Sequence, residues 1–489
     1  MASSWLRRKS IREALLDDEG GLRKDLGAVD LTLLGIGAII GAGLFSSIAD
    51  MVTGTDATLG AGPAVIVSYL LTAIACGFAA LCYAEIAAMV PISGSAYTYS
   101  YVAFGEVVAW IIGWDLIIEY AIGNIYVAAR WGSYLQTLLE GLFGWRVPAW
   151  LATDIQTARA LVAADPSRAG EFPTLFGAPF SVDAIAGGAV LGITVLLWLG
   201  VRESARANAA MVVLKLALIA LFLGIGVFHV DPANWSPFAP NGAHGIWQGA
   251  ALGFFSYIGF DAVSTAAEET RDPQRDMPRG MIASLLICTV LYMAVAAVLT
   301  GILPMSELDT VDDPLAAVFG RIGMHGVETA MAFGAVVAMS AVLLVFQLGQ
   351  TRIFMVMARD GLLPEVFSRL HPTYRTPAVS TWVTGVGVMI GCSVLTPDQA
   401  IGLCNIGTLF AFVLVSLGVI VLRVREPDIE RPFKVPGYPV TPVLAALSCL
   451  ALIVGLERSN WLRFVGWLAI GLVVYVAFGR RFSRLAREA

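Results

Sequence analysis

The chain has 489 residues, of which 57% are hydrophobic and 14% charged, with a mean hydropathy of +0.77 and a net charge of −6. So much apolar surface exceeds what a water-soluble fold of this length buries, and it assigns the chain to the integral membrane proteins. The charge is spread over loops without a basic patch, which excludes nucleic acid as a partner.

A bilayer core about 30 Å thick needs about 20 apolar residues per helix. That ruler predicts an all-α fold of twelve transmembrane helices, centred on residues 30–50, 63–89, 105–138, 182–200, 208–229, 247–268, 281–301, 326–351, 378–393, 399–421, 440–456 and 462–478. Residues 1–27 form an N-terminal segment charged throughout. Lacking a short apolar core and a small-residue cleavage site, it does not read as a cleavable signal peptide. Its stretch SWLRRKSIREALL suits an amphipathic surface helix and a solvated tail equally.

The first span contains GIGAIIGAGLF at 35–45, four glycines in a membrane helix. Each costs about 1 kcal/mol relative to alanine. Gly37 and Gly41 have the GxxxG spacing of close helix packing, but Gly35 and Gly37 point about 200° apart, as do Gly41 and Gly43, so one packing face cannot use all four. An interrupted helix uses them better, because glycine lets the backbone leave helical geometry and offer N–H and C=O groups to a ligand. In the second span Glu85 sits near the cytoplasmic end, where it either packs or gates.

Asp115 and Glu119 in the third span are four residues apart and share one helix face. Two buried carboxylates a turn apart repel when both are ionised, so such a pair favours holding a proton; hydrogen bonding to neighbouring helices is the structural alternative. Lys215 stands alone among apolar residues in the fifth span. An ionisable group at that depth costs at least about 2.5 kcal/mol and is a functional candidate by default. A lysine in apolar surroundings gives up its proton closer to neutral pH than one in water, although it also serves as a fixed cation for exposed carbonyls.

The sixth span, GAALGFFSYIGFDAVSTAAEE, repeats the pattern of the first, with Gly249, Gly253 and Gly259 around the polar residues Ser256, Tyr257 and Asp261. Matching interruptions predict a 5+5 inverted repeat. Residues 28–230 form its first half (helices 1–5) and 231–422 its second (helices 6–10), leaving 423–489 for helices 11–12 and the C-terminus. Opposed half-helices supply unpaired N–H and C=O groups of opposite polarity, a pairing that suits a zwitterion. In the eighth span Met339, Ser340 and Phe346 are candidates for setting pocket size. The clusters Glu268, Glu269, Arg271, Asp272, Arg275, Asp276 and Arg352, Arg359, Asp360 read as solvated loops or as an inner gate.

Most of the 31 Lys and Arg residues fall in segments on one side, which the positive-inside rule makes cytoplasmic, with both termini there. The six cysteines lie in spans without CxxC spacing and read as packing residues. The four histidines share no motif, so no metal or other cofactor is expected. No GxxxxGK[ST] stretch occurs, which argues against direct ATP hydrolysis. An enzyme would also need a nucleophile, base or metal cluster at one membrane depth, and none is visible.

GIGAIIGAGLF, FFSYIGFDAVSTAAEETRDPQRDMPRG and GQTRIFMVMARDGLLP together resemble the amino acid/polyamine/organocation superfamily, most closely its cationic amino acid transporter branch with the bacterial proton-coupled permeases. The resemblance covers nearly the whole chain. It implies alternating access around a central site between interrupted helices one and six. Carried over, it places the substrate carboxylate on the N–H groups of Gly41, Ala42 and Gly43. It places the ammonium on carbonyls near Ile39 and Ile40 and near Phe254, Phe255 and Ser256, with Ile258 and one phenylalanine lining the side-chain pocket. Some relatives have a hydroxyl residue where Ala42 stands, so no side-chain hydrogen bond is expected there. The same resemblance makes Lys215 a proton-coupling residue reaching the first broken helix, and Glu119 a proton site beside the pocket.

The expected function is a secondary active transporter in the plasma (inner) membrane, importing small neutral L-amino acids by proton symport, cationic ones being less favoured. Amino acid or polyamine exchange and non-transporting sensing are the alternatives. The expected partners are substrate, proton and membrane lipid; the oligomeric state is left open.

Overall fold

The computed structural model describes residues 26–55, 58–90, 95–200, 205–261, 263–264, 266, 270–309 and 311–484. The amphipathic stretch at the N-terminus, Arg202, Glu268 and Glu269 lie outside the described residues. The chain is built from α-helices, with two small antiparallel hairpins, β1 (Gly54–Thr55) with β2 (Thr58–Leu59) and β3 (Thr174–Leu175) with β4 (Ala178–Pro179).

The helices are α1 (Ala28–Ile39), α2 (Ala42–Phe45), α3 (Ser47–Thr53), α4 (Val65–Met89), α5 (Ser95–Ala103), α6 (Glu106–Phe143), α7 (Ile155–Ala164), α8 (Ala184–Trp198), α9 (Ala205–Gly226) and α10 (Gly242–Gly253). They continue as α11 (Pro273–Ile302), α12 (Met305–Leu308), α13 (Pro314–Arg321), α14 (His325–Arg359), α15 (Ala378–Val394), α16 (Pro397–Arg425), α17 (Val440–Gly455), α18 (Arg458–Val474) and α19 (Arg480–Phe482). Among the described residues seven helices are long and apolar enough to cross a bilayer, and the four shorter apolar helices are α1, α8, α15 and α17. Many of their outward side chains are large and apolar, including Leu286, Val290, Ile390, Leu447 and Leu462, each more than half exposed or close to it. A lipid-facing surface has that composition, since water does not reward burying it elsewhere.

The first span is broken where its glycines fall. α1 ends at Ile39, Ile40 is extended, and Gly41 precedes a new helical start at Ala42. The sixth span departs from the expected pair of opposed half-helices. After α10 the chain tightens into a 3₁₀ turn over Phe254–Tyr257, and no α-helix is described from 258 to 270. The reason is local: Gly259 has φ +119, and its N–H bonds the Asp261 carboxylate at 3.2 Å.

Two glycines let the broken spans touch. A Cβ at Gly259 would stand 2.8 Å from the Ala38 carbonyl carbon, and one at Gly43 would collide with the Ser256 Cα. Next to the start of α1, Leu26 pairs with Thr270 in a parallel bridge, and the Arg271 N–H donates to the Leu26 carbonyl at 2.9 Å. Glu85 proves to be a clamp: its carboxylate takes Arg423 Nε at 2.8 Å, a second Arg423 nitrogen, and the Val435 N–H at 2.6 Å, tying α4 to the last turn of α16 and the loop after it.

Candidate functional site

At the first break, the N–H groups of Gly41, Ala42 and Gly43 start a helix and so have no acceptor within it, since helical bonding begins with Leu44 and Phe45 donating to the Gly41 carbonyl. The Gly43 carbonyl accepts from Ser47 Oγ at 2.6 Å and Ser256 Oγ at 2.8 Å, and the two hydroxyls are 3.1 Å apart. These contacts lock the outer half of the first span to the 3₁₀ turn of the sixth. Ile39, Ile40, Gly41, Ala42, Gly43, Phe254, Phe255, Ser256 and Ile258 are all buried around this seam.

Two carbonyls expected to meet an ammonium already share a donor. Tyr292 on α11 places its hydroxyl 2.9 Å from the Ile39 carbonyl and 2.9 Å from that of Ser256. Its ring packs against Tyr69 and Tyr257 at 5.4 and 5.5 Å. A tyrosine in an apolar helix gives no sequence signal, so Tyr292 escaped the reading. The Phe255 carbonyl accepts from the Ile258 N–H at 3.3 Å.

The wall facing the break comes from α14 and α6. Val342 stands directly beside Gly41, while Phe346 packs on Gly123 and meets the Tyr120 ring at 5.8 Å. Met339, three residues from Val342, is fully buried. Ser340 points elsewhere: it receives Trp131 Nε1 at 2.9 Å and lines a groove with residues of α8, so its expected pocket role is withdrawn. Helical geometry explains this, because 339, 342 and 346 share a face that 340 leaves. Tyr126 closes the far side, its ring 4.7 Å from Phe255.

Lys215 is buried on α9, and its Nζ donates to the Gly37 carbonyl at 2.7 Å, inside the last turn of α1. Asp115 and Glu119 are buried on α6, on the side that packs against α16. A Cβ at Gly407 would lie 2.7 Å from Asp115 Oδ1, and Cys404 Sγ lies 3.6 Å from the Glu119 carbonyl. Among the described residues neither Asp115 oxygen has a hydrogen-bond partner, nor does Glu119 Oε2. Unpaired buried carboxyl oxygens cost roughly 1–3 kcal/mol each, which structural packing alone does not explain.

Above the site, Arg130 on α6 binds Asp50 of α3 at 2.9 Å and also pairs with Asp312, while Tyr126 donates to the other Asp50 oxygen at 2.7 Å. Thr137, two turns further along the same face of α6, bonds Asp313 at 2.5 Å. Asp312 and Asp313, just before α13, are thereby fastened to α6. A polar cavity of about 1450 Å³ opens beside it, lined in part by Arg130, Asp183, Asp312 and Gln399. Nothing in the sequence pairs Asp50 with Arg130, 80 residues apart in the chain.

Comparison with known proteins gives a family model, described as amino acid permease, that matches residues 26–478. The chain is 46% identical to the branched-chain amino acid permease BcaP of Bacillus subtilis over 99% of its length and 100% of that protein's. It is 42% identical to a methylthioribose transporter of the same organism, over 99% of each chain. A chloroplastic cationic amino acid transporter of Arabidopsis thaliana is 39% identical over 87% of this chain and 72% of its own.

Proposed function

We propose, from the premise that this chain belongs to the amino acid permease family, that it imports neutral L-amino acids with apolar side chains by proton symport through alternating access. The membrane-embedded chain is read as twelve transmembrane helices in a 5+5 inverted repeat in the plasma (inner) membrane, with both termini cytoplasmic. The carrying observation is the break at Ile40 and Gly41, which leaves the N–H groups of Gly41, Ala42 and Gly43 outside helical bonding beside the 3₁₀ turn of the sixth span. Backbone groups of that kind receive a carboxylate, while carbonyls of residues 39–40 and 254–256 receive the ammonium.

The side chain then meets Val342, Phe346, Phe255 and Ile258, all buried and apolar. That lining favours a branched-chain or smaller aliphatic side chain over a cationic one, because a lysine or arginine head there lacks a paired carboxylate. The BcaP relatives agree with this size class. Lys215, bonded to the Gly37 carbonyl, and the Asp115–Glu119 pair are the proposed proton-coupling groups. Loss or gain of the Lys215 proton changes what holds the last turn of α1, next to the break, which is how coupling reaches the site.

A second reading comes from the methylthioribose transporter, since free backbone N–H and C=O groups also serve sugar hydroxyls. Purified protein in liposomes separates the possibilities. Leucine accumulation driven by an inward proton gradient, blocked by excess isoleucine and not by methylthioribose, is the expected result. Uptake that ignores the gradient and needs internal amino acid would replace symport with exchange. Binding without any movement would make the protein a sensor.

A further inference from the structure

The start of α11 carries a stripe that changes character along its length. Arg275, Arg279, Ile282 and Leu286 fall within about 60° of one another around the helix, and the stripe runs about 16 Å from the first arginine to the leucine. Both arginines are exposed, and among the described residues neither guanidinium has a hydrogen bond or an ion pair. Like charges one turn apart repel, so this face lacks an anion. Further along it, Leu286 and Val290 are 60% and 68% exposed, as lipid-facing side chains are. The stripe is one wall of a groove of about 710 Å³ whose other wall is Pro432 and Phe433, in the loop after α16. Asp272 also lines it, one carboxylate against two guanidinium groups. Buried charges hold the second wall in place. Arg431 donates to the carbonyls of Leu422, Glu426 and Ile429 at 3.0, 2.7 and 2.8 Å, and the Val435 N–H bonds Glu85. Pro432 and Phe433 lie between these two anchors, so the wall needs no occupant to keep its position.

We propose that this groove binds one anionic phospholipid, with its phosphodiester between Arg275 and Arg279 and an acyl chain along Ile282 and Leu286. A phosphodiester offers two free oxygens to two guanidinium forks, and it carries the single negative charge that balances the lining. Beyond the phosphate the chain meets apolar surface, for which a soluble anion has no use. A zwitterionic headgroup brings a cation back to the arginines and weakens the attraction. The occupant links the start of α11, just past the Arg271–Leu26 bond, to a loop fixed on α4. Lipid binding here needs neither the substrate nor the proton assigned above.

The test uses the full chain in detergent, titrated with dioleoyl phosphatidylglycerol, with the phosphatidylcholine of the same chains and with glycerophosphate, bound lipid per protein being read by native mass spectrometry. Phosphatidylglycerol should bind in preference to phosphatidylcholine, and glycerophosphate at the same concentration should not displace it. Arg275→Gln and Arg279→Gln should each weaken the tightest phosphatidylglycerol binding about fivefold, and the double variant about twentyfold. Arg369→Gln, at an exposed arginine beside Glu365, should leave it unchanged. Phosphatidylglycerol binding that survives the double variant overturns the site, as does equal binding of the two lipids. Displacement by glycerophosphate also overturns it, leaving an anion site without a lipid. Should the arginine variants not give folded protein, Phe433→Ala serves by removing the facing wall; severalfold weaker phosphatidylglycerol binding is expected, and unchanged binding overturns the site.

Discussion

At the scale of single residues, the site depends on places where no side chain fits. Gly43 lies against the Ser256 backbone, so Gly43→Ala should separate the two broken spans and abolish leucine uptake, while the protein still purifies as a folded species. A variant with normal uptake would remove the seam from the site. Lys215→Ala deletes the donor to the Gly37 carbonyl and should leave leucine uptake insensitive to an imposed proton gradient; the comparison is uptake with and without the gradient. Both residues stood out in the sequence, Gly43 because its neighbours could not share one helix face and Lys215 because a buried ammonium needs a reason. Tyr292 and Ser47 did not. Hydroxyl side chains are common in membrane helices, and only the positions of the carbonyls they meet give them meaning.

At the scale of elements, the break in the first span was legible because four glycines weaken a helix locally. The sixth was legible as an interruption but not in its form. A 3₁₀ turn, a break at 258–260 and a return to 3₁₀ geometry at Asp261 depend on Gly259 adopting a positive φ against Ala38, a contact with another span. The docking of Asp312 and Asp313 on α6 was invisible. Two consecutive aspartates look like any polar loop until Asp312 meets Arg130 and Asp313 meets Thr137. Burial at that docked position pushes the Asp313 carboxyl up to about 7, against about 3.9 for a free aspartate. Docking therefore takes up a proton, and the docked form is favoured below about pH 4 to 7 and loses stability as pH rises through that window, levelling off above it. Melting temperatures between about pH 5 and about pH 7 should fall with rising pH and level off above, and Asp313→Asn should flatten that slope. An unchanged slope in the variant would assign the pH dependence to another group.

At the scale of the whole molecule, composition and span length were enough for the membrane and the helices, because every backbone polar group in lipid must find its partner within the segment. Pairing between distant spans was not, since it is decided by contacts that hydropathy does not record. One such pairing, the bond from the Arg271 N–H to the Leu26 carbonyl, has a mechanical consequence. It joins the start of the first span to the chain leaving the sixth, so the two ends form one lever. Cysteines placed at Leu26 and Arg271 and oxidised to a disulfide should leave leucine uptake at close to its reduced level. A lever made of two independent arms would be jammed by the same bond. A door built on these two ends would then have a single leaf.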